Sequence, residues 1–115
     1  MSGFGPPPPV VPEVDVDRLD AARGGGAPVI DVRQPDEYDA GHVPGARLIP
    51  LGEVAARLGE VPTDGSVYVI CQTGARSARA TDFLRRQGID AQNVTGGTKA
   101  WIESGRTVAR GPQPG

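Results

Sequence analysis

The chain has 115 residues, enough for one hydrophobic core and too few for two. A net charge of −2 and no basic stretch interleaved with aromatics exclude nucleic acid as an expected partner. One cysteine permits no internal disulfide, the single histidine, His42, has no Cys/His cluster around it, and the apolar runs are too short to span a membrane, so neither a metal, a cofactor nor a bilayer is expected.

Residues 1–12 carry five prolines and no apolar period, which predicts a flexible or polyproline-like tail. This N-terminus has neither a basic n-region nor an apolar h-region, so the expected compartment is the cytoplasm. Val14 to Val16 reads as a brief strand, after which Asp17 is placed to cap a short helix over 18–23 that the Gly24-Gly25-Gly26 run stops. Pro28 to Val32 reads as a buried strand. Pro35, Asp36 and Glu37 then suit the first turn of a short helix that Gly41 ends.

Ala46 to Ile49 is a short strand between Pro44-Gly45 and Pro50, and Leu51, Val54, Ala55 and Leu58 fall at helical spacing up to Gly59. Val67 to Ile70 is the most strand-like run and is expected at the centre of the sheet. Ala80, Phe83 and Leu84 mark one face of a helix ended by Gly88, Ile89 to Val94 supplies a last strand, and Thr98 to Ser104 a last helix before Gly105. Strands alternating with helices at this spacing predict one α/β domain over 13–110 with a central, mainly parallel sheet. Residues 111–115, Gly-Pro-Gln-Pro-Gly, are expected to be a second flexible tail.

In such folds, sites form at the carboxyl ends of the strands, where both Cys71 and Asp31 fall. Cys71 closes the Val67–Ile70 run and opens the loop Gln72-Thr73-Gly74-Ala75-Arg76, which leads into a helix. A thiol at a helix N-terminus beside an arginine is favoured as the thiolate, the nucleophilic form. The competing reading is a small buried hydrophobe, which needs neither the glycine loop nor the arginine. Gly74 permits the dihedrals that turn loop amides toward the sulfur. Asp31 and Arg33 are either placed to orient the loop or an ordinary pair at a strand end, and their position at a strand carboxyl end favours the first. His42, in a Gly-His-Val-Pro turn, is expected to be structural, and Trp101 to pack the last helix. Gly96-Gly97 is expected to form a tight strand-to-helix turn, and Arg79, Arg85 and Arg86 a solvated helix face.

Four motifs in register, Asp31-Val32-Arg33 with Glu37-Tyr38, Gly41 to Ala46, Cys71 to Ser77, and Gly96-Gly97 with Ala100-Trp101, resemble a single-domain rhodanese from about Asp31 to Val108. The resemblance implies a rhodanese-like three-layer α/β fold with a five-stranded sheet, and sulfur transfer from thiosulfate or a related small anion to cyanide or a thiol, including a thioredoxin-like protein. Cys71 would carry the persulfide as the catalytic residue. Gln72, Thr73, Gly74, Ala75 and Arg76 would bind substrate, with Asp31, Arg33 and Ser77 in support. Arg76 would anchor the loop on a buried carboxylate, for which Asp31 and Glu37 are both candidates. Sulfurtransferases of this superfamily have a six-residue loop, whereas related phosphatases and arsenate reductases have one residue more; Cys71 and Arg76 match the shorter loop. Many members carry a basic residue directly after the cysteine, where this chain has the neutral Gln72. The alternatives are a persulfide carrier or regulatory module serving one partner, and, against the loop length, a phosphatase or arsenate reductase.

Overall fold

The computed structural model describes residue 7 and residues 9–115, so the proline-rich stretch expected over 1–12 lies partly outside the described residues. Five strands and four α-helices follow in the order β1 (Glu13–Val14), α1 (Val16–Gly24), β2 (Val29–Asp31), α2 (Pro35–Ala40), β3 (Arg47–Leu48), β4 (Val67–Ile70), α3 (Ala75–Arg86), β5 (Ala91–Val94) and α4 (Gly97–Glu103). The strands form one sheet in the order β1-β5-β4-β2-β3, parallel at every pairing. This is the α/β architecture expected from the alternating pattern.

β4 takes the centre because all four of its residues can be buried. Their alternation divides the core. Val67 and Val69 point to one face with Ile30, Val54, Ala80, Leu84 and, beyond the strand end, Cys71. Tyr68 and Ile70 point to the other with Leu19, Val29, Tyr38, Val94 and Trp101. Two-sided burial of this kind is what parallel sheets require, and each such aliphatic side chain contributes about 1.5–3 kcal/mol of transfer free energy.

Three local features differ from expectation. Asp15, not Asp17, caps α1, accepting from the Arg18 N–H at 2.9 Å, and Asp17 lies within the first turn. The strand before it is accordingly shorter, which lets Asp15 adopt the extended backbone a cap needs. The segment expected as a helix over 51–59 is instead two 3₁₀ turns, Leu51–Glu53 and Leu58–Glu60. Gly52 and Gly59 each weaken a continuous helix by about 1 kcal/mol, and the i→i+3 period delivers the apolar residues inward equally well. Val54 and Val61 are both buried there.

The third difference is at the C-terminal end. Residues 111–115, expected as a flexible tail, lie against the body: Gly111 N donates to Asp39 O at 2.8 Å, and Gly45 N to Pro114 O at 2.9 Å. His42 explains part of this. It is buried, stacked on Tyr38 with ring centroids 3.6 Å apart, and its two ring nitrogens meet Tyr38 O at 2.8 Å and Pro114 O at 3.1 Å. It is a structural histidine, as its turn context predicts. Trp101 likewise packs in the core, its indole N–H donating to Thr107 O at 2.9 Å.

Candidate active site

The loop Cys71–Arg76 joins the carboxyl end of the central strand to the N-terminus of α3. Its shape follows from Gly74, whose φ of +120° few side-chain-bearing residues adopt. That dihedral turns the Gly74 N–H back onto Cys71 Sγ at 3.1 Å. Ser77, in the first turn of α3, brings its hydroxyl within 3.2 Å of the same sulfur. Burial alone pushes the Cys71 thiol up, but the Ser77 hydroxyl and the backbone N–H groups of Ser77, Gly74 and Thr73 outweigh it, and the pKa lies below that of an ordinary thiol. Cys71 is only 1% exposed.

The loop is held from three sides. On the first, Arg33 is buried with Asp31, its Nη2 2.9 Å from Asp31 Oδ2 and its Nε within 3.2 Å of both carboxylate oxygens. The same guanidinium donates to Gly41 O at 2.9 Å and to Gln72 Oε1 at 3.2 Å, so it links β2, the end of α2 and the loop. On the second side, Arg76 makes a bidentate pair with Glu37, at 2.7 and 2.8 Å. The Arg76 hydrogen bonds hold the Glu37 carboxyl at about 2, well below the usual carboxylate value, against the opposing pull of burial. Of the two candidate anchors for Arg76, Glu37 is the one used, and it is half-buried rather than buried. Asp31 is committed to Arg33. Arg76 therefore braces the loop, while the dipoles nearest the sulfur are neutral ones.

The third side escaped the sequence. Thr98 donates twice to Cys71 O, from its N–H at 2.9 Å and its hydroxyl at 3.0 Å, and Lys99 N donates to Gln72 O at 3.1 Å. A Cβ on Gly97 would lie 2.6 Å from both of these loop carbonyl oxygens. Gly97 thus forms the tight turn that Gly96-Gly97 predicts, and it also admits α4 against the loop. Asn93 of β5 closes the floor, with Nδ2 3.1 Å from Gly74 O and Oδ1 2.5 Å from Ser77 Oγ. The Asn93 amide sits far along the chain from the loop, and the β4–β5 pairing brings it there.

Two hollows border the loop. One, of about 340 Å³, is lined by Arg33, Glu37, Ala40, Gly41, Gln72 and the half-exposed Ile102. The other, of about 270 Å³, borders Thr73, Gly74 and Ala75, with Glu13 and Asn93 opposite. Among the described residues no group of His, Cys, Asp and Glu could hold a metal ion, and no helix is long and apolar enough to cross a membrane. Arg85 and Arg86 of α3 pair with Asp90 and Asp82 at the surface, as a solvated face does.

Comparison with known proteins gives a consistent result. A model of the Rhodanese-like domain matches residues 15–104. The uncharacterized protein YqhL of Bacillus subtilis is 46% identical over 76 residues, 65% of this chain and 60% of its own length, so this chain spans less than two thirds of that relative. A sulfurtransferase of Allochromatium vinosum is 35% identical over 81 residues, covering 70% of this chain and 76% of that one. The crystal structure of a rhodanese-related protein from Thermoplasma volcanium superposes with a TM-score of 0.81 at 31% identity, covering 86% of this chain and 98% of that chain.

Proposed function

This chain belongs to the rhodanese-like family of sulfurtransferases and sulfur carriers, and from that premise we propose that it transfers a sulfane sulfur from thiosulfate or a related donor to a thiol or cyanide through a persulfide on Cys71. The observation that carries the reading is the pair of neutral hydrogen-bonding groups converging on one sulfur, Gly74 N–H at 3.1 Å and the Ser77 hydroxyl at 3.2 Å, at the carboxyl end of the central strand. The backbone N–H is a fixed dipole that stabilises a thiolate, and also the anion that replaces it, without reorganising during the reaction.

The steps balance without an oxidant. The Cys71 thiolate attacks the outer sulfur of the donor; the new S–S bond forms as the old one breaks, and sulfite (or a thiolate, from a persulfide donor) leaves with the electron pair. The persulfide anion then rests among the loop amides. An acceptor thiolate or cyanide attacks its outer sulfur, and Cys71 departs as thiolate. Cys71 is the sole cysteine of the chain, so no second thiol of this chain can take the sulfur, and the acceptor must come from outside.

Depth favours sulfur over phosphorus. A residue 1% exposed is reached by a narrow terminal atom, such as the outer sulfur of thiosulfate or a persulfide, more readily than by a phosphoryl centre bearing three oxygens. Charge balance bears on the donor. Arg33 and Arg76 each face a carboxylate and Gln72 is neutral, so neither arginine is left as an unpaired cation for a dianionic donor.

The test is turnover with thiosulfate and cyanide, followed as thiocyanate, in the natural chain and in Cys71→Ser. Turnover that disappears in Cys71→Ser is expected. Undiminished turnover in that variant would overturn the assignment. A persulfide that forms with negligible thiocyanate turnover would replace the enzyme reading with the carrier one.

A further inference from the structure

Ser77 has one hydroxyl proton and two neighbours that can take it. Its Oγ lies 3.2 Å from Cys71 Sγ and 2.5 Å from Asn93 Oδ1. The orientation of the Asn93 amide is dictated by what faces its other end. There Gly74 O lies at 3.1 Å and Glu13 Oε2 at 3.5 Å, and a carbonyl and a carboxylate only accept. The nitrogen must point at them, which turns the oxygen toward Ser77. An amide oxygen cannot donate, so the 2.5 Å contact consumes the Ser77 proton. While it lasts, Ser77 offers the sulfur only lone pairs, which suit a thiol S–H and not a thiolate.

We propose that Asn93 is a positioning residue that sets the ionisation of Cys71 through the Ser77 hydroxyl, a two-position proton that faces Asn93 in the thiol state and the sulfur in the thiolate state. In the first state a chain runs from Cys71 S–H to Ser77 Oγ and from Ser77 O–H to Asn93 Oδ1. On ionisation the Cys71 proton leaves to solvent, the Ser77 O–H turns to the thiolate, and Asn93 Oδ1 loses its donor. Asn93 is 2% exposed, so water does not readily replace it, and the loss offsets part of what the thiolate gains. After sulfur uptake the negative charge moves to the outer atom of the persulfide. Sγ becomes a weak acceptor and the Ser77 proton returns to Asn93. Gly74 N–H is the constant donor, and Ser77 is the adjustable one.

The other charged groups around the sulfur are accounted for. Arg76 faces Glu37, Arg33 faces Asp31, and Glu13 faces the Asn93 amide nitrogen; none is displaced when the hydroxyl turns. The inference rests on Cys71 being the reactive sulfur, but its test reads ionisation and not sulfur transfer. Absence of a persulfide would defeat the functional reading while leaving this cycle to be judged on its own.

The experiment is the pH dependence of iodoacetamide alkylation of Cys71 in the natural chain, Asn93→Leu, Ser77→Ala and the double variant, with circular dichroism to verify folding. Asn93→Leu is expected to lower the thiol pKa by about one unit, raising alkylation about tenfold at pH values below the natural pKa. That shift should vanish in the Ser77→Ala background. Ser77→Ala alone should move the pKa by less than about half a unit, because its proton is otherwise engaged. An equal Asn93→Leu shift in both backgrounds, a shift of the opposite sign, or none would overturn the proposal. If the Asn93 variants do not fold, the Ser77→Ala value decides, and a rise above about half a unit refutes it.

Discussion

Two arginine–carboxylate pairs brace the Cys71 loop, and they differ in the variable that decides what an ion pair contributes. Arg33 and Asp31 are 3% and 0% exposed, with a closest approach of 2.9 Å; Arg76 and Glu37 are 36% and 31% exposed at 2.7 Å. The shorter contact belongs to the more exposed pair, so distance alone would rank them wrongly. Burial removes the solvent screening and makes the loss of one partner severe, whereas an accessible pair is screened and its partners are rehydrated when it breaks. The inner pair therefore fixes the framework from which the loop leaves, and the outer pair fastens the N-terminus of α3 to α2.

The most damaging way to probe this contrast is Arg33→Met. It leaves Asp31 as an uncompensated buried charge and frees Gly41 O and Gln72, and should cost about 3–5 kcal/mol, read as a fall in the midpoint of urea unfolding. A loss no larger than that of Arg76→Met would erase the distinction between the pairs. Gly97→Ala probes the third support, which has no charge at all. Its Cβ would press on two loop carbonyls at 2.6 Å and its φ of +59° is left-handed, so a loss of about 1–3 kcal/mol is expected together with slower Cys71 alkylation.

Glu37→Gln is the mildest, at about 1 kcal/mol or less given its exposure. The outer pair also has a pH signature. The folded Glu37 carboxyl is held near 2 instead of its usual 4.5; solvent screening keeps the resulting energy small, but that contribution is complete above about 4.5 and fades as the pH falls toward 2. Acid unfolding of Glu37→Gln should lack that component. An unchanged slope between those pH values would contradict the assignment.

The contrast also marks what sequence conveys. The β-branched Val67–Ile70 run, the cysteine at its end and the Gly74 loop were legible because their reasons are local: strand propensity, alternation and one left-handed dihedral. Sequence alone leaves both Asp31 and Glu37 open as anchors of Arg76, because choosing between them needs side-chain reach across separate elements. Asn93 and Thr98 gave no signal of their own. Asn93 reads as one residue of a strand, and its role arises only where β5 lies beside β4. The 51–60 segment misled for a different reason, since apolar residues three apart satisfy a 3₁₀ turn as well as an α-helix.

Intact-mass spectrometry after brief exposure to thiosulfate or to a low-molecular-weight persulfide reads directly whether Cys71 carries sulfur. The natural chain should gain the mass of one sulfur atom, lose it on addition of cyanide or dithiothreitol, and show no gain as Cys71→Ser. A natural chain that never gains the sulfur, or a Cys71→Ser chain that still does, would contradict Cys71 as the sulfur carrier.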